Sequence, residues 1–415
     1  MIDPKLLRQD PDLVRRSLTR RGSNLNLDAL IKLESSARAA LSNSEQLRSQ
    51  QKDAGRRIAS LSAEEKEQAI DEVAELAAAV KEATSKSEEL AAEFRVAILD
   101  VPNLVADDAA DGFTDEDSVE IKRLGEPSTE GASHAVLGET LDIIDTVRGS
   151  KVSGARFGYL KGKGAILELS LVRWAMDHLV DAGFVPMIPP VMVREEALVG
   201  TGFFPEAREQ VYEIPKDELF LVGTAEVPMA AYHADEIFTA DELPSRYAGF
   251  STCFRRESGT YGKDTAGIFR VHQFDKVEMF AFVTPEESGD EHDRLLEVEE
   301  RLVSELELPY RVVNVAAGDL GASAVKKFDI EAWFPGEQRY REITSCSNTT
   351  DYQARRLRVR VRGDSGNRLV HTLNGTACAM GRTILAILEN HQQPDGSVQI
   401  PEALRKYTGF DVIEP

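Results

Sequence analysis

Between residues 27 and 98 apolar and small side chains recur every seven positions along paired tracks. In the first half one track runs Leu30, Ala37, Ser44, Gln51, Ile58 and the other Leu33, Ala40, Leu47, Ala54, Leu61. In the second half Val73, Val80, Ser87, Phe94 alternates with Leu76, Ala83, Leu90, Ala97. A strict heptad places both tracks on one helix face, so two long helices are expected. The break near Ser62-Ala63-Glu64-Glu65 offers a serine cap with acids in the first turn. Coiled coils commonly join separate chains. Here the two halves are adjacent and similar in length, which favours an antiparallel hairpin within one chain, roughly 50 Å long. Small and polar residues at several seam positions imply close packing and modest stability.

The pattern then changes. Pro102, Gly112, Gly125, Pro127 and Gly131 stand among a run of acids, so residues 103–132 read as an acidic connector rather than a packed element. From about residue 133 to 415 short apolar strands, Gly/Pro turns and a few helices alternate irregularly, as in an α+β domain on a mainly antiparallel sheet. A helical arm over 1–102 and a larger domain over 133–415 agree with a length of 415 residues, more than one ordinary core holds.

Within that domain two short apolar runs flank a loop with Ser258, Gly259, Gly262 and Gly267, which predicts a β-hairpin over 252–280. Arg255 and Glu257 sit two apart and are expected on one face of the first strand. Arg270, Phe274 and Glu278 share a parity on the return strand. One floor would then collect two guanidiniums, two carboxylates and an aromatic ring. Arginine forks suit phosphate or carboxylate oxygens, an aromatic suits a purine, and a buried carboxylate suits an ammonium or hydroxyl. A solvated hairpin with cross-strand ion pairs is the ordinary alternative.

Charge and cysteine content narrow the classes. There are 49 basic against 71 acidic residues, a net of -22, which argues against a broad non-specific nucleic-acid surface. The charge is segregated, however. Residues 1–62 carry 12 Lys and Arg against 7 Asp and Glu, whereas 63–130 carry 6 against 20. A polyanion would dock at the basic end. There Arg48, Lys52, Arg56 and Arg57 cluster towards the distal end of the first helix, where a solvated polar face and a phosphate contact are equally good readings. Cys253, Cys346 and Cys378 form no CxxC pair, so neither a disulfide framework nor a zinc knuckle is supported. The start MIDPKLLRQDPDL lacks the apolar core of a signal peptide, and no apolar run approaches the ~20 residues of a membrane span. A reducing, cytoplasmic compartment is expected.

Four further segments join the hairpin. An amphipathic helix enters Gly183-Phe-Val-Pro-Met-Ile-Pro-Pro-Val191, taken together as 164–191. Thr224-Ala225-Glu226 follows an apolar strand. Glu342-Ile-Thr-Ser-Cys-Ser-Asn348 follows Tyr340-Arg341, and Asp351-Tyr-Gln-Ala-Arg-Arg356 comes next. Finally Leu373-Asn-Gly-Thr-Ala-Cys-Ala-Met-Gly-Arg382 opens an apolar helix over 373–390. Gly375 and Gly381 permit close backbone approach. Arg382 near a helix N-terminus opposes the dipole unless it is aimed at an anion. Arg356, Arg358, Arg360 and Arg362 alternate, which predicts one strand face, salt-bridged more readily than RNA-binding.

The hairpin, with Phe-Arg-x-Glu before its loop and Arg-x-His-Gln-Phe after it, resembles motif 2 of the class II aminoacyl-tRNA synthetases. The segments at 164–191 and 373–390 resemble motifs 1 and 3. In this order, with the helical arm, the resemblance is to the seryl-tRNA synthetases of bacterial type, and it covers essentially the whole chain. One departure is visible: Thr344 stands where a serine is expected.

That resemblance implies ATP-dependent ligation of L-serine to tRNA(Ser), and to tRNA(Sec) where present, through seryl-adenylate, by a cytoplasmic homodimer joined through motif 1. It implies that Arg255 bridges the serine carboxylate and the α-phosphate. Glu257 would read the adenine amino group, Phe274 would stack on the ring, and Arg382 would take its far face and the γ-phosphate. Arg256, Arg270, Val271, Ile343 and Thr344 complete the implied ATP set. Glu342 and Ser345 would hold Mg²⁺. Thr224, Ala225 and Glu226 would hold the serine ammonium, with Glu278, Asn374 and Thr376 around the hydroxyl. The arm, through Arg48, Lys52, Arg56 and Arg57, would bind tRNA. A ligase loading a carrier protein and a non-catalytic scaffold are the competing readings. The arm counts against the first and the filled motif positions against the second.

Overall fold

The computed structural model describes residues 1–58, 62–259 and 267–415. It divides into two units, Met1–Thr19 with Ser23–Pro102, and Arg20–Gly22 with Asn103–Pro415.

In the first unit the heptads fold as expected into two helices, α1 (Leu27–Ile58) and α2 (Ala63–Ala97), packed along their length. Every described seam residue is buried or half-buried, while the intervening positions face water almost throughout. The small residues at the seam have a use. Ser44 and Thr84 share a hydrogen bond of 3.1 Å between the helices, and Arg48 donates to the same Thr84 hydroxyl at 3.2 Å. Leu61 lies outside the described residues. Arg48, Lys52, Arg56 and Arg57 are all exposed.

The second unit is α+β. Among the described residues eight strands form its main sheet: β1 (Val119–Leu124), β2 (Val185–Met187), β3 (Ser245–Phe254), β4 (Gln273–Val283), β5 (Tyr310–Asn314), β6 (Lys326–Phe334), β7 (Arg339–Thr350) and β8 (His371–Ala379). Their order is β1-β5-β6-β7-β8-β4-β3-β2. All neighbours are antiparallel except β2 and β3.

Side-chain alternation sorts the two faces. Phe328, Ile330, Ala332 and Phe334 of β6, with Val277, Met279, Ala281 and Val283 of β4, enter one apolar core. The helices α3 (Lys163–Asp181), α5 (Ser288–Glu305) and α7 (Met380–Asn390) pack into the same core. A shorter helix, α4 (Glu226–Ala231), contributes Met229 and Ala230 to a second cluster with Phe280 and Phe282. The opposite parity of the central strands, including Lys276, Glu278, Lys327 and Asp329, is free to be polar.

Two expectations need correction. Residues 103–132 are not merely a connector. Val105, Ala109 and Ala110 are buried, and β1 is the edge strand of the main sheet, paired with β5. The acids misled, because an edge strand whose side chains are all exposed carries no hydrophobic signature. The Asn103 side-chain amide, buried, donates to Ser323 O and Thr349 O, each at 2.8 Å. The alternating arginines do not share a strand. Arg356 lies on the helix α6 (Tyr352–Leu357), is buried, and donates to Val199 O and Phe204 O. Arg358 turns the chain at φ +58° and pairs with Asp235, leaving only Arg360 and Arg362 on a strand.

Candidate active site

The predicted hairpin is present, but its strands are shorter than expected. β3 ends at Phe254 and β4 begins at Gln273. Arg255, Glu257 and Arg270 therefore lie beyond the regular ladder, and strand parity is not what aims them. Instead the Arg255 amide donates to His272 O at 2.9 Å, extending the pairing by one step. Glu257 then adopts φ +50°, a left-handed turn that swings its side chain back to meet Arg270 at 2.9 Å. The outgoing chain is pinned from outside. Gln210 Oε1 accepts from the Ser258 amide and Gln210 Nε2 donates to Ser258 O, both at 3.0 Å. Residues 260–266, Gly262 among them, lie outside the described residues.

A cleft of about 330 Å³ opens on the polar side of the sheet. Thr224, Glu226, Arg255, Glu257, Arg270, Val271, Phe274, Glu278, Glu342, Ile343, Ser345, Asn374, Thr376 and Arg382 all line it. Three residues of the expected set do not. Arg256 turns away, donating to Val211 O at 3.0 Å with its guanidinium over the Tyr212 ring. Ala225 is buried in an apolar cluster. Thr344 points to the helix side, where its hydroxyl donates to Glu299 Oε2 at 2.7 Å.

One end of the cleft is a small carboxylate pocket. Glu278 on β4 is fully buried and stands opposite Thr376 on β8. Asn374 Nδ2 donates to its Oε1 at 3.0 Å, and Thr376 Oγ1 to its Oε2 at 3.4 Å. Lys276, two residues along the same strand face, forms an ion pair with it. Glu226, buried at the start of α4, accepts from Gln353 Nε2 at 2.7 Å, while its own amide donates to Thr224 Oγ1 at 3.2 Å. Burial first, and then the neighbouring Glu278, push the Glu226 carboxyl up to about 7. Such a pocket, rich in acceptors, can take a small cation that also carries a hydroxyl.

The other end gathers positive charge. Arg255 donates to Gly223 O at 3.1 Å, and its guanidinium lies 5.2 Å from the Phe274 ring centre. Arg382, on the first turn of α7, reaches Glu342 O at 3.0 Å and Glu342 Oε2 at 3.3 Å. Its guanidinium also lies over Phe269, as Arg341 does from 3.7 Å. Loss of water around Glu342 would raise its carboxyl, but Arg382 and Lys327 hold it down at about 2, firmly ionised.

Glu342 and Ser345 are three apart, which on a regular strand would point them to opposite faces. The pairing of β7 with β6 contains a one-residue irregularity. Glu342 stands opposite Glu331 and Thr344 opposite Ile330, so Ile343 is the extra residue. Ser345 then stands opposite Asp329, and the two oxygen-bearing side chains fall on one face. The same irregularity sends Thr344 to the helix layer.

Gly375 is required by crowding, though not from the cleft. A Cβ there would lie 2.7 Å from Glu299 Oε1 and 3.1 Å from Cys346 Cβ. At Gly381 the nearest atom would be 3.6 Å away, an ordinary contact. Glu299 is fully buried, and that burial holds its carboxyl well above the usual range.

Sequence reasoning missed Lys276, Lys327, Asp329 and Gln353. Lys276 and Lys327 line the cleft, Lys327 pairs with Asp329 at 3.1 Å, and Gln353 orients Glu226. A lysine inside an apolar strand run was the available signal at Lys276. For Gln353, on the short helix α6, the sequence offered none.

The chain is similar to known proteins along its whole length. The family model described as the tRNA synthetase class II core domain (G, H, P, S and T) matches residues 211–391, and the seryl-tRNA synthetase N-terminal domain matches 1–105. A serine–tRNA ligase of Acidothermus cellulolyticus is 53% identical over 419 residues, covering 100% of both chains. That of Thermobifida fusca is 52% identical, covering 100% of this chain and 99% of its own. Among solved structures, the seryl-tRNA synthetase from Pyrococcus horikoshii complexed with ATP superposes with a TM-score of 0.96 at 40% identity, covering 100% of each. The cytoplasmic serine–tRNA ligase from Naegleria fowleri in complex with AMP gives 0.90 at 32%, covering 100% of this chain and 99% of that one.

Proposed function

The chain belongs to the seryl-tRNA synthetases of bacterial type, serine–tRNA ligases that use ATP, and we propose that the cleft between β4, β7 and β8 is where serine meets the nucleotide. The observation that carries this reading is the polarity of the cleft. Its acceptor-rich end and its arginine-rich end are one continuous space.

In this reading serine enters with its ammonium at Glu226 and Thr224 and its hydroxyl at Glu278 and Thr376. Its carboxylate then points towards Arg255, the charge that bridges it to the α-phosphate. The carboxylate oxygen attacks the α-phosphorus, the bond to the bridging oxygen breaks, and pyrophosphate leaves with that electron pair. A ribose hydroxyl of the tRNA 3′ end then attacks the seryl carbonyl and AMP departs. Positioning and charge neutralisation carry the rate, so no side-chain nucleophile is required. Cys346 and Ser258 have other tasks. Burial pushes the Cys346 thiol well up, and the Ser258 hydroxyl donates to Glu209 O at 3.0 Å. Phe274 and Val271 face adenine, Glu257 its amino group, and Arg270 holds Glu257 in place. Arg382 serves the γ-phosphate.

Glu342 and Ser345 suit Mg²⁺: hard oxygen donors on one face, the carboxylate already ionised. When bound, the ion supplies charge neutralisation at the phosphates.

The arm is the proposed tRNA-binding element, with the exposed Arg48, Lys52, Arg56 and Arg57 able to leave weak surface pairs for phosphates. A homodimer through motif 1 is supported by the unpartnered apolar side chains of α3 and β2. Leu169, Val180, Val185 and, just beyond, Ile188 are exposed. Among the described residues no helix is long and apolar enough to cross a membrane. A cytoplasmic setting and serylation of tRNA(Sec) fit this reading. A carrier-protein substrate is disfavoured by the arm. Pyrophosphate exchange measured across the twenty amino acids tests the proposal: serine alone should support a high rate, and a different preference would overturn it.

A further inference from the structure

The polar face of β6 carries one feature that the reaction above does not use. Asp329 is only 7% exposed, yet its Oδ1 has no hydrogen-bond partner among the described residues. Its Oδ2 is held by Lys327 Nζ at 3.1 Å, from two residues away on the same strand face. A dry carboxylate oxygen without a donor costs free energy comparable to a lost hydrogen bond. A simple counter-ion for Lys327 would not need to leave it so.

The register shows which residues neighbour Asp329. Asp329 stands directly opposite Ser345, and Glu331, the next residue of the same parity, stands opposite Glu342. Side chains facing each other across an antiparallel pair are close neighbours. Ile330, between them, is fully buried on the helix side. Lys327, Glu342 and Ser345 all line the cleft. Asp329 therefore sits on the cleft face behind the two oxygen donors, oriented by a lysine and short of one partner.

We propose that Asp329 is a third oxygen-bearing residue of the metal seat at Glu342 and Ser345, positioning the divalent cation that accompanies ATP. The inference rests on reading that pair as the seat. Lys327 would act through Asp329 by fixing its carboxylate plane, which makes it a positioning residue once removed.

Mn²⁺ binding to the full-length protein, followed by electron paramagnetic resonance with saturating ATP and no serine, tests this. Glu342→Gln is the control for the seat and should weaken Mn²⁺ binding. Asp329→Asn should raise the Mn²⁺ dissociation constant about 10- to 100-fold, with ATP affinity measured in excess EDTA unchanged. That split is one a merely structural role would not produce. If Glu342→Gln weakens Mn²⁺ and a folded Asp329→Asn binds it as wild type does, the inference is overturned while the seat stands. If neither matters, the reading of the seat itself fails. Should Asp329→Asn not fold, Asp329→Ser, which removes the charge but keeps an oxygen, decides in the same way.

Discussion

Thr376 faces Glu278 across β8 and β4, its hydroxyl donating to the buried Oε2 at 3.4 Å. The contact is long for a hydrogen bond, and Asn374 and Lys276 already engage the carboxylate. Thr376 is therefore in place to serve a serine hydroxyl shared with Glu278. Thr376→Ala should raise the Km for serine by about tenfold, the worth of one such bond, and leave the Km for ATP nearly unchanged. Equal effects on both would remove Thr376 from the serine pocket.

Arg255 joins the two ends of the cleft, so its loss should act on the transition state. Arg255→Ala is expected to reduce serine-dependent pyrophosphate exchange by at least ~10²- to 10³-fold, with thermal unfolding unaltered. A variant that exchanges normally would assign the bridging charge elsewhere.

The pH dependence of serine binding follows from Glu226. Its carboxyl is raised to about 7 in the unliganded protein, first by burial. A serine ammonium needs the ionised form, and bound ammonium lowers the carboxyl in return. The Km for serine should therefore rise by up to about tenfold for each unit below pH 7 and level off above it, until the serine ammonium itself loses its proton. For stability the sign is opposite. The folded carboxyl lies above its unfolded value, so Glu226 favours folding at low pH, and that contribution is lost as pH rises through about 7. Glu226→Gln should flatten the dependence of Km, and an unchanged slope in that variant would point to another group.

Deleting residues 27–98 separates activation from transfer. The truncated enzyme should keep pyrophosphate exchange near the wild-type rate and lose tRNA charging by several orders of magnitude. Normal charging would show that the arm does not carry the tRNA.

The arm was legible in the sequence because helix burial follows a period that heptads reproduce directly: Leu30, Leu33, Ala37 and Ala40 announce one seam. The cleft was legible for a different reason. Its residues come from segments whose composition is costly for stability alone, such as Arg382 on the first turn of a helix. Position was harder to read than identity. The alternation rule put Arg255 and Glu257 on a strand that stops at Phe254, and it ran four arginines together that a short helix divides. The edge strand at Val119–Leu124 was hidden because every side chain on it is exposed. Lys276 and Asp329 went unnoticed because ionisable residues within apolar runs reveal their use only when the facing strand is known.

The extra residue at Ile343 gives β7 two reading frames. Upstream of it the even-numbered Glu342 faces the cleft, and downstream the odd-numbered Ser345 does, while Thr344 belongs to the opposite layer. Deleting that one isoleucine would merely smooth the strand, leaving Glu342 and Ser345 two apart and on one face. Inserting one residue between Thr344 and Ser345 would preserve each chemically important residue and still turn the remainder of the strand inside out, carrying Ser345 from the cleft to the helix layer. In this strand spacing matters as well as identity, and a catalogue of substitutions alone would miss a change of that kind.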